Sequence, residues 1–318
     1  MKFSSPFGTW SIRTLLPALK RWAIVVRSLR DSRHVSNSIE PRAGNINTPQ
    51  VALCYHAPVP YHALEPRWTL PPFCLNLPAM KTTDVMSALE TLGSAQTKKT
   101  YLRHGCPEPF FGVKIADMKA LIKKLKIQND TALAKKLYQT GNSDAMYLAG
   151  MICDGRQLTR RDLDDWANTA TWHMLSAYTV PWVAVDHPEG WNAALEWIET
   201  ADEKLSLTGW STLGGIVAVE EDKALDLKAV EKLLDRVVKT IHQSPNHTRY
   251  TMNDFVIAVG SYVKPLAAKA QAAAAKIGEV KVDMGDTACK VPSASEAIKE
   301  VIASGRHGAK RKTIKCGP

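Results

Sequence analysis

Three tryptophans and the residues one helical turn beyond them carry the first chemical question. A ring face attracts a cation through its quadrupole. A carboxylate at i+4 would share that helical face, add negative charge and hold a water for attack. Trp166 is followed at i+4 by Ala170, Trp172 by Ser176 and Trp182 by Asp186. Only the last pair has the right chemistry, and Asp186 runs straight into His187-Pro188, which reads as a helix end. Asp164 and Asp165 precede Trp166 and face elsewhere. A fourth ring, Tyr101, stands beside Lys98, Lys99 and Arg103, where cations could hold phosphate. The nine histidines show no nucleophile arrangement; His187, and the pair His242 and His247 around Ser244-Pro245-Asn246, read as loop or surface residues. Gly214-Gly215 lies in a helical pattern and suits close packing rather than a phosphate loop. Six scattered cysteines, Cys54, Cys74, Cys106, Cys153, Cys289 and Cys316, lack zinc-ligand spacing and suit a reducing compartment. No metal and no cofactor is expected.

The elements that must position these side chains are helical. Thr82 or Thr83 caps a helix bearing Val85, Met86, Leu89 and Leu92, stopped by Gly93. Ile115, Met118, Leu121, Ile122 and Leu125 form an apolar stripe over 115–126, with four lysines mostly off it. Asp130 caps the next helix, Ser143 another, and Thr159 begins one through Trp166. Further helices are expected near 190–200, 204–221, 227–243, 249–263 and 265–277. Val280-Lys281-Val282 alternates like a short strand, and Ser293 caps a last helix over 293–303.

Charge divides the chain differently. The formal net charge is +10. Nine Lys/Arg face three acids in residues 1–79, and five face none in 305–318, so the body between is close to neutral. Residues 1–79 begin Arg-rich and acid-free, as a transit peptide does. They hold eight of the eighteen prolines between 41 and 78, a density that prevents helix. An extension without packed structure is expected there. The basic end with Lys310, Arg311, Lys312 and Lys315 reads as a solvated terminus, with a phosphate-binding arm as the alternative. No apolar run is long enough to span a bilayer, so a cytoplasmic protein is expected.

The order Lys98-Lys99-Thr100-Tyr101-Leu102-Arg103, then Phe110-Phe111-Gly112-Val113, then an amphipathic run to Cys153, resembles the opening of the AlkD-like DNA alkylation repair family. The resemblance covers residues 80 to about 270. It implies an all-α fold, an α-α superhelix of HEAT-like repeats over 80–278, with residues 279–318 as a short C-terminal appendage. It also implies a monomer that binds duplex DNA through phosphate contacts and excises cationic N-alkylated purines. The family's cradle is a Tyr, a mid-chain Trp with an Asp four residues on, an Arg one repeat later and a final Trp. Tyr101 matches the first, and Trp166 is the expected second, with Ala170 in place of the Asp. No Arg occurs around 207–211, and Asp254 falls at the last Trp. Lys98, Lys99, Arg103, Lys310, Arg311 and Lys312 are the expected backbone contacts. With the carboxylate absent, the rival expectation is a HEAT-repeat binding protein that keeps the scaffold without the chemistry.

Overall fold

The computed structural model describes residues 80–287 and 289–316. The expected N-terminal extension lies outside them. Thirteen α-helices follow one another with no strand among the described residues: α1 (Thr82–Leu92), α2 (Ala95–Arg103), α3 (Ile115–Leu125), α4 (Thr131–Tyr138), α5 (Ser143–Ile152), α6 (Arg160–Thr169), α7 (Val180–Asp186), α8 (Gly190–Trp197), α9 (Glu203–Val219), α10 (Leu227–Thr240), α11 (Asn246–Tyr262), α12 (Ala267–Ile277) and α13 (Ala294–Ala303). Neighbours pack in series: α4 on α5, α8 on α9, α9 on α11, α10 on α12, and α13 on α11 and α12. One buried cluster fills the first repeats and a second the later ones. The two meet on α8, where Ala193 belongs to the first and Ala194 to the second.

Local chemistry explains most of the boundaries. Asp130 accepts from Leu133 N at 2.9 Å, and Thr159 forms a capping box with Asp162. Ser293 accepts from Glu296 N. Two caps differ from expectation. Asn142, not Ser143, caps α5, its Oδ1 accepting from Asp144 N and Ala145 N. The first helix starts at Thr82 behind Lys81, with no side-chain cap. Residues 280–282 form no strand. Val280 is buried and Val282 partly buried against the second core, so the alternation marks an extended segment packed on helices.

The periodicity also missed a helical stretch over 173–186. Its cause is Pro181, which has no N–H to offer the Ala177 carbonyl four residues back. A π-helical turn, Leu175–Thr179, absorbs the mismatch. Ser211 on α9 donates its hydroxyl to Ala177 O at 2.5 Å, satisfying the orphaned carbonyl from outside.

The basic end is not a free arm. Lys310 Nζ donates to Val217 O at 3.0 Å and pairs with Asp222 at 2.8 Å, with 9% of its side chain exposed. Arg311 N donates to Ala218 O. Lys315 Nζ donates to Cys153 O and pairs with Asp186 at 2.6 Å. Ile314 is buried in the first core, where Gly215 leaves room: a Cβ there would lie 2.7 Å from Ile314 Cδ1. The two lysines thus sit at the C-terminal ends of α5, α7 and α9, where the helix dipole favours cations. A chain ending at Ser304 should lose roughly 2–3 kcal/mol from the apolar and dipole contacts together. Its melting temperature should fall by roughly 5–10 °C. An unchanged melt would show that the segment docks without holding the fold.

Candidate functional site

The chain's most specific motif is built around a buried carboxylate. Asp144, in the first turn of α5, accepts from Phe111 N at 2.6 Å, Gly112 N at 2.8 Å and Val113 N at 3.0 Å. Burial outweighs these three donors and holds the carboxyl above its ordinary value. Gly112 has φ +81°, and a Cβ there would lie 2.6 Å from Lys98 N. The turn therefore lies directly against α2 and fixes Tyr101, whose hydroxyl donates to Val113 O at 2.6 Å. Burial first, then Asp144 and Cys106, push that phenol well above its usual range.

The mid-chain ring beside Tyr101 is Trp172, not Trp166. The Tyr101 and Trp172 centroids lie 5.6 Å apart, and Phe110 also stacks on Tyr101, at 6.1 Å. Trp172 Nε1 donates to His104 O at 2.8 Å. Trp166 instead stacks on Tyr138 at 4.0 Å and 3°, and Tyr138 donates to the Trp166 carbonyl. That pair lines a separate cleft of about 350 Å³ with Lys135, Asp162 and Asp165. The residue one turn after Trp172 is Ser176. It is fully buried, and its hydroxyl has no hydrogen-bond partner among the described residues. No carboxylate follows the ring that stands at Tyr101.

The row of rings continues past Trp172. His173 lies edge-on to it at 5.7 Å and stacks on His247 at 4.0 Å and 4°. His247 is thus part of α11 and of the ring row, not a loop residue. His187 is likewise buried, its Nε2 at 3.0 Å from Leu158 O. Burial, then His247 and His104, lower His173 to about 3; burial also lowers His104 and His247. These imidazoles are neutral at physiological pH and offer π-faces rather than charge.

His247, Tyr250 and Asp254 fall at i, i+3 and i+7, one stripe of α11. Asp254, Tyr250 and Tyr178 of the π-helical turn are all partly buried. The Asp254 carboxyl makes no hydrogen bond or ion pair among the described residues, and desolvation pushes it up to about 7. The Asp254 charge, ahead of burial, raises the Tyr250 phenol. Tyr178 is raised by burial first, then by Asp254 and Cys289. A buried carboxyl raised this far binds its proton more tightly folded than unfolded. Its contribution to stability is complete below about 3.8 and is lost as pH rises toward 7. Asp254→Asn should therefore stabilise the protein by roughly 2–3 kcal/mol at pH 8, allowing for residual solvent. The gain should shrink as pH falls toward 4. A gain that does not vary with pH in a thermal melt series would contradict the assignment.

The expected phosphate contacts are unequal. Lys99 and Arg103 are exposed on α2. Lys98 pairs with Glu108 at 2.9 Å and lies 5.0 Å over the Phe110 ring. Lys310 is committed to Asp222 and Val217. Arg311 and Lys312 line a second cleft of about 500 Å³ with Arg156, Asp186 and Glu220. Where the resemblance asks for an Arg on α9, Ser211 bonds Ala177 instead. Among the described residues no group of His, Cys, Asp and Glu could hold a metal ion, and no helix is long and apolar enough to cross a membrane.

Comparison with known proteins places this geometry. The sequence profile of the family described as "DNA alkylation repair enzyme" matches residues 85–270. An uncharacterized protein of Listeria monocytogenes, Lmo0209, is 32% identical over 216 residues, 67% of this chain and 93% of its own length. Lin0241 of Listeria innocua, also uncharacterized, is 31% identical over the same shares. One solved structure is similar at 37% identity and a TM-score of 0.69, covering 74% of this chain and 100% of its own. It is described as a new family of proteins related to the HEAT-like repeat DNA glycosylases with affinity for branched DNA structures.

Proposed function

Because the chain belongs to the DNA alkylation repair enzyme family, we propose that it is a HEAT-like repeat protein that binds DNA without efficient base excision. We infer that branched DNA is preferred over linear duplex. One observation carries the reading. The ring seated against Tyr101 is Trp172, and the position one turn on holds a buried serine, not a carboxylate. An aromatic face can still attract a base, but nothing on that helix holds water or offsets charge on a departing base. The similar structure with affinity for branched DNA supports the choice of ligand. The near-neutral body and the committed lysines at the C-terminal end support few phosphate contacts. The four described free thiols suit the cytoplasm, where we expect a monomer.

Fluorescence anisotropy with a three-way junction and a linear duplex of equal length tests this. Affinity for the junction should exceed that for the duplex by about tenfold, with a log–log salt slope of roughly 3 for both. Lys99→Ala and Arg103→Ala should each reduce that slope by about 1. Failure to bind either DNA at low salt would remove DNA from the account.

A further inference from the structure

We propose that Leu102 is an apolar wedge that caps the open base stack at a DNA branch point, with Lys99 and Arg103 on the flanking phosphates. The inference rests on the DNA-binding reading and names the residue that tells a junction from a linear duplex. Leu102 and Ile302 are the two large apolar side chains exposed among the described residues, and Leu102 is the more open at 53%. An exposed leucine alone carries no meaning; its surroundings give it one. Lys99, Leu102 and Arg103 fall at i, i+3 and i+4, one exposed stripe of α2, and α2 contains no acid. An apolar tip between two cations suits a polyanion with an apolar interior, which is what an interrupted base stack presents.

α2 is held firmly enough to bear on DNA. Ser94 caps its first turn, accepting from Thr97 N at 3.3 Å, and its own N–H donates to Gly112 O at 3.1 Å. At the other end Trp172 Nε1 donates at 2.8 Å to the carbonyl of His104, the residue that closes the helix. Between them the Tyr101 hydroxyl donates to Val113 O at 2.6 Å. Successive helical residues turn by about 100°, so Tyr101 is buried in the ring row while Leu102 faces solvent. The wedge is thus a separate feature from the rings, on a different side of the same helix. Insertion into a linear duplex must first unstack a base step. At a branch the stack is already interrupted, so the leucine buries its exposed half without that cost. Burying half a leucine side chain is worth about fivefold in affinity, on the scale of the junction preference expected above. The two cations act on both DNAs alike, since phosphate is common to them.

The test uses a three-way junction carrying 2-aminopurine in a base pair at the branch, beside a linear duplex of equal length. Wild-type protein should prefer the junction and change its 2-aminopurine fluorescence. Leu102→Ala should lower junction affinity about fivefold, leave duplex affinity unchanged and remove the fluorescence change. Leu102→Phe supplies another wedge-forming side chain and should keep both the preference and the signal. Lys99→Ala and Arg103→Ala should instead weaken junction and duplex equally. Ile302→Ala makes the same kind of truncation on α13 and should change neither affinity. Thermal melts check that each variant is folded. An unchanged junction-to-duplex ratio in Leu102→Ala would overturn the proposal, as would an equal loss on both DNAs or a loss matched by Ile302→Ala. Wild-type binding to neither DNA would overturn the parent reading, and the wedge with it.

Discussion

Asp144→Ala should lower the stability of the protein by roughly 3–5 kcal/mol, more than any other single substitution considered above. The carboxylate accepts three consecutive backbone N–H groups, those of Phe111, Gly112 and Val113. Removing it strands these donors, the Gly112 and Val113 bonds in a buried setting. Each unsatisfied donor costs about 1–3 kcal/mol. The total is less than three full penalties, because burial already disfavours the charged carboxyl. The damage should also reach the site. Val113 O is the acceptor for Tyr101, and the turn's contact with Lys98 sets α2 against it. Urea unfolding measures the loss directly, and tyrosine and tryptophan fluorescence should report a loosened Tyr101–Trp172 pair. A loss under about 1 kcal/mol would mean that Phe110 and Val113 hold the turn through apolar burial alone.

How far the sequence foretold this structure depends on what each element rests on. The helices of regular period were legible: α3, α9, α10, α11 and α12 lie close to the ranges their apolar stripes imply. Residues 173–186 were not, because Pro181 and the π-helical turn break the 3.6-residue period. That stretch carries Trp172's neighbours and Tyr178, so the same break hid the site. Trp166 was the expected cradle ring, yet its stacking on Tyr138 is a tertiary fact that no spacing encodes. The basic end misled for a related reason. Lys310 and Lys315 look like solvated charges in a sequence, whereas the helix C-terminal carbonyls they bond come from residues about 90 and 160 positions away. One signal was available: Ile314 is an apolar residue inside a charged run, and it is buried. His247 could have been found by its spacing to Tyr250 and Asp254, but the Ser-Pro before it favoured a loop.

The central claim is that the ring face persists while the excision chemistry does not. The expected cost of lacking the carboxylate beside Trp172 is on the order of 10²–10³ in rate. The most direct measurement is release of N7-methylguanine from a linear duplex under single-turnover conditions, with protein in excess over DNA and above its measured Kd. Binding and release are then read on the same sample, so weak binding cannot pass for weak catalysis. The account predicts a bound duplex whose rate of base release equals the spontaneous rate within a fewfold. Release 100-fold or more above the spontaneous rate, abolished by Asp254→Asn in a folded protein, would contradict it and place the missing carboxylate on α11.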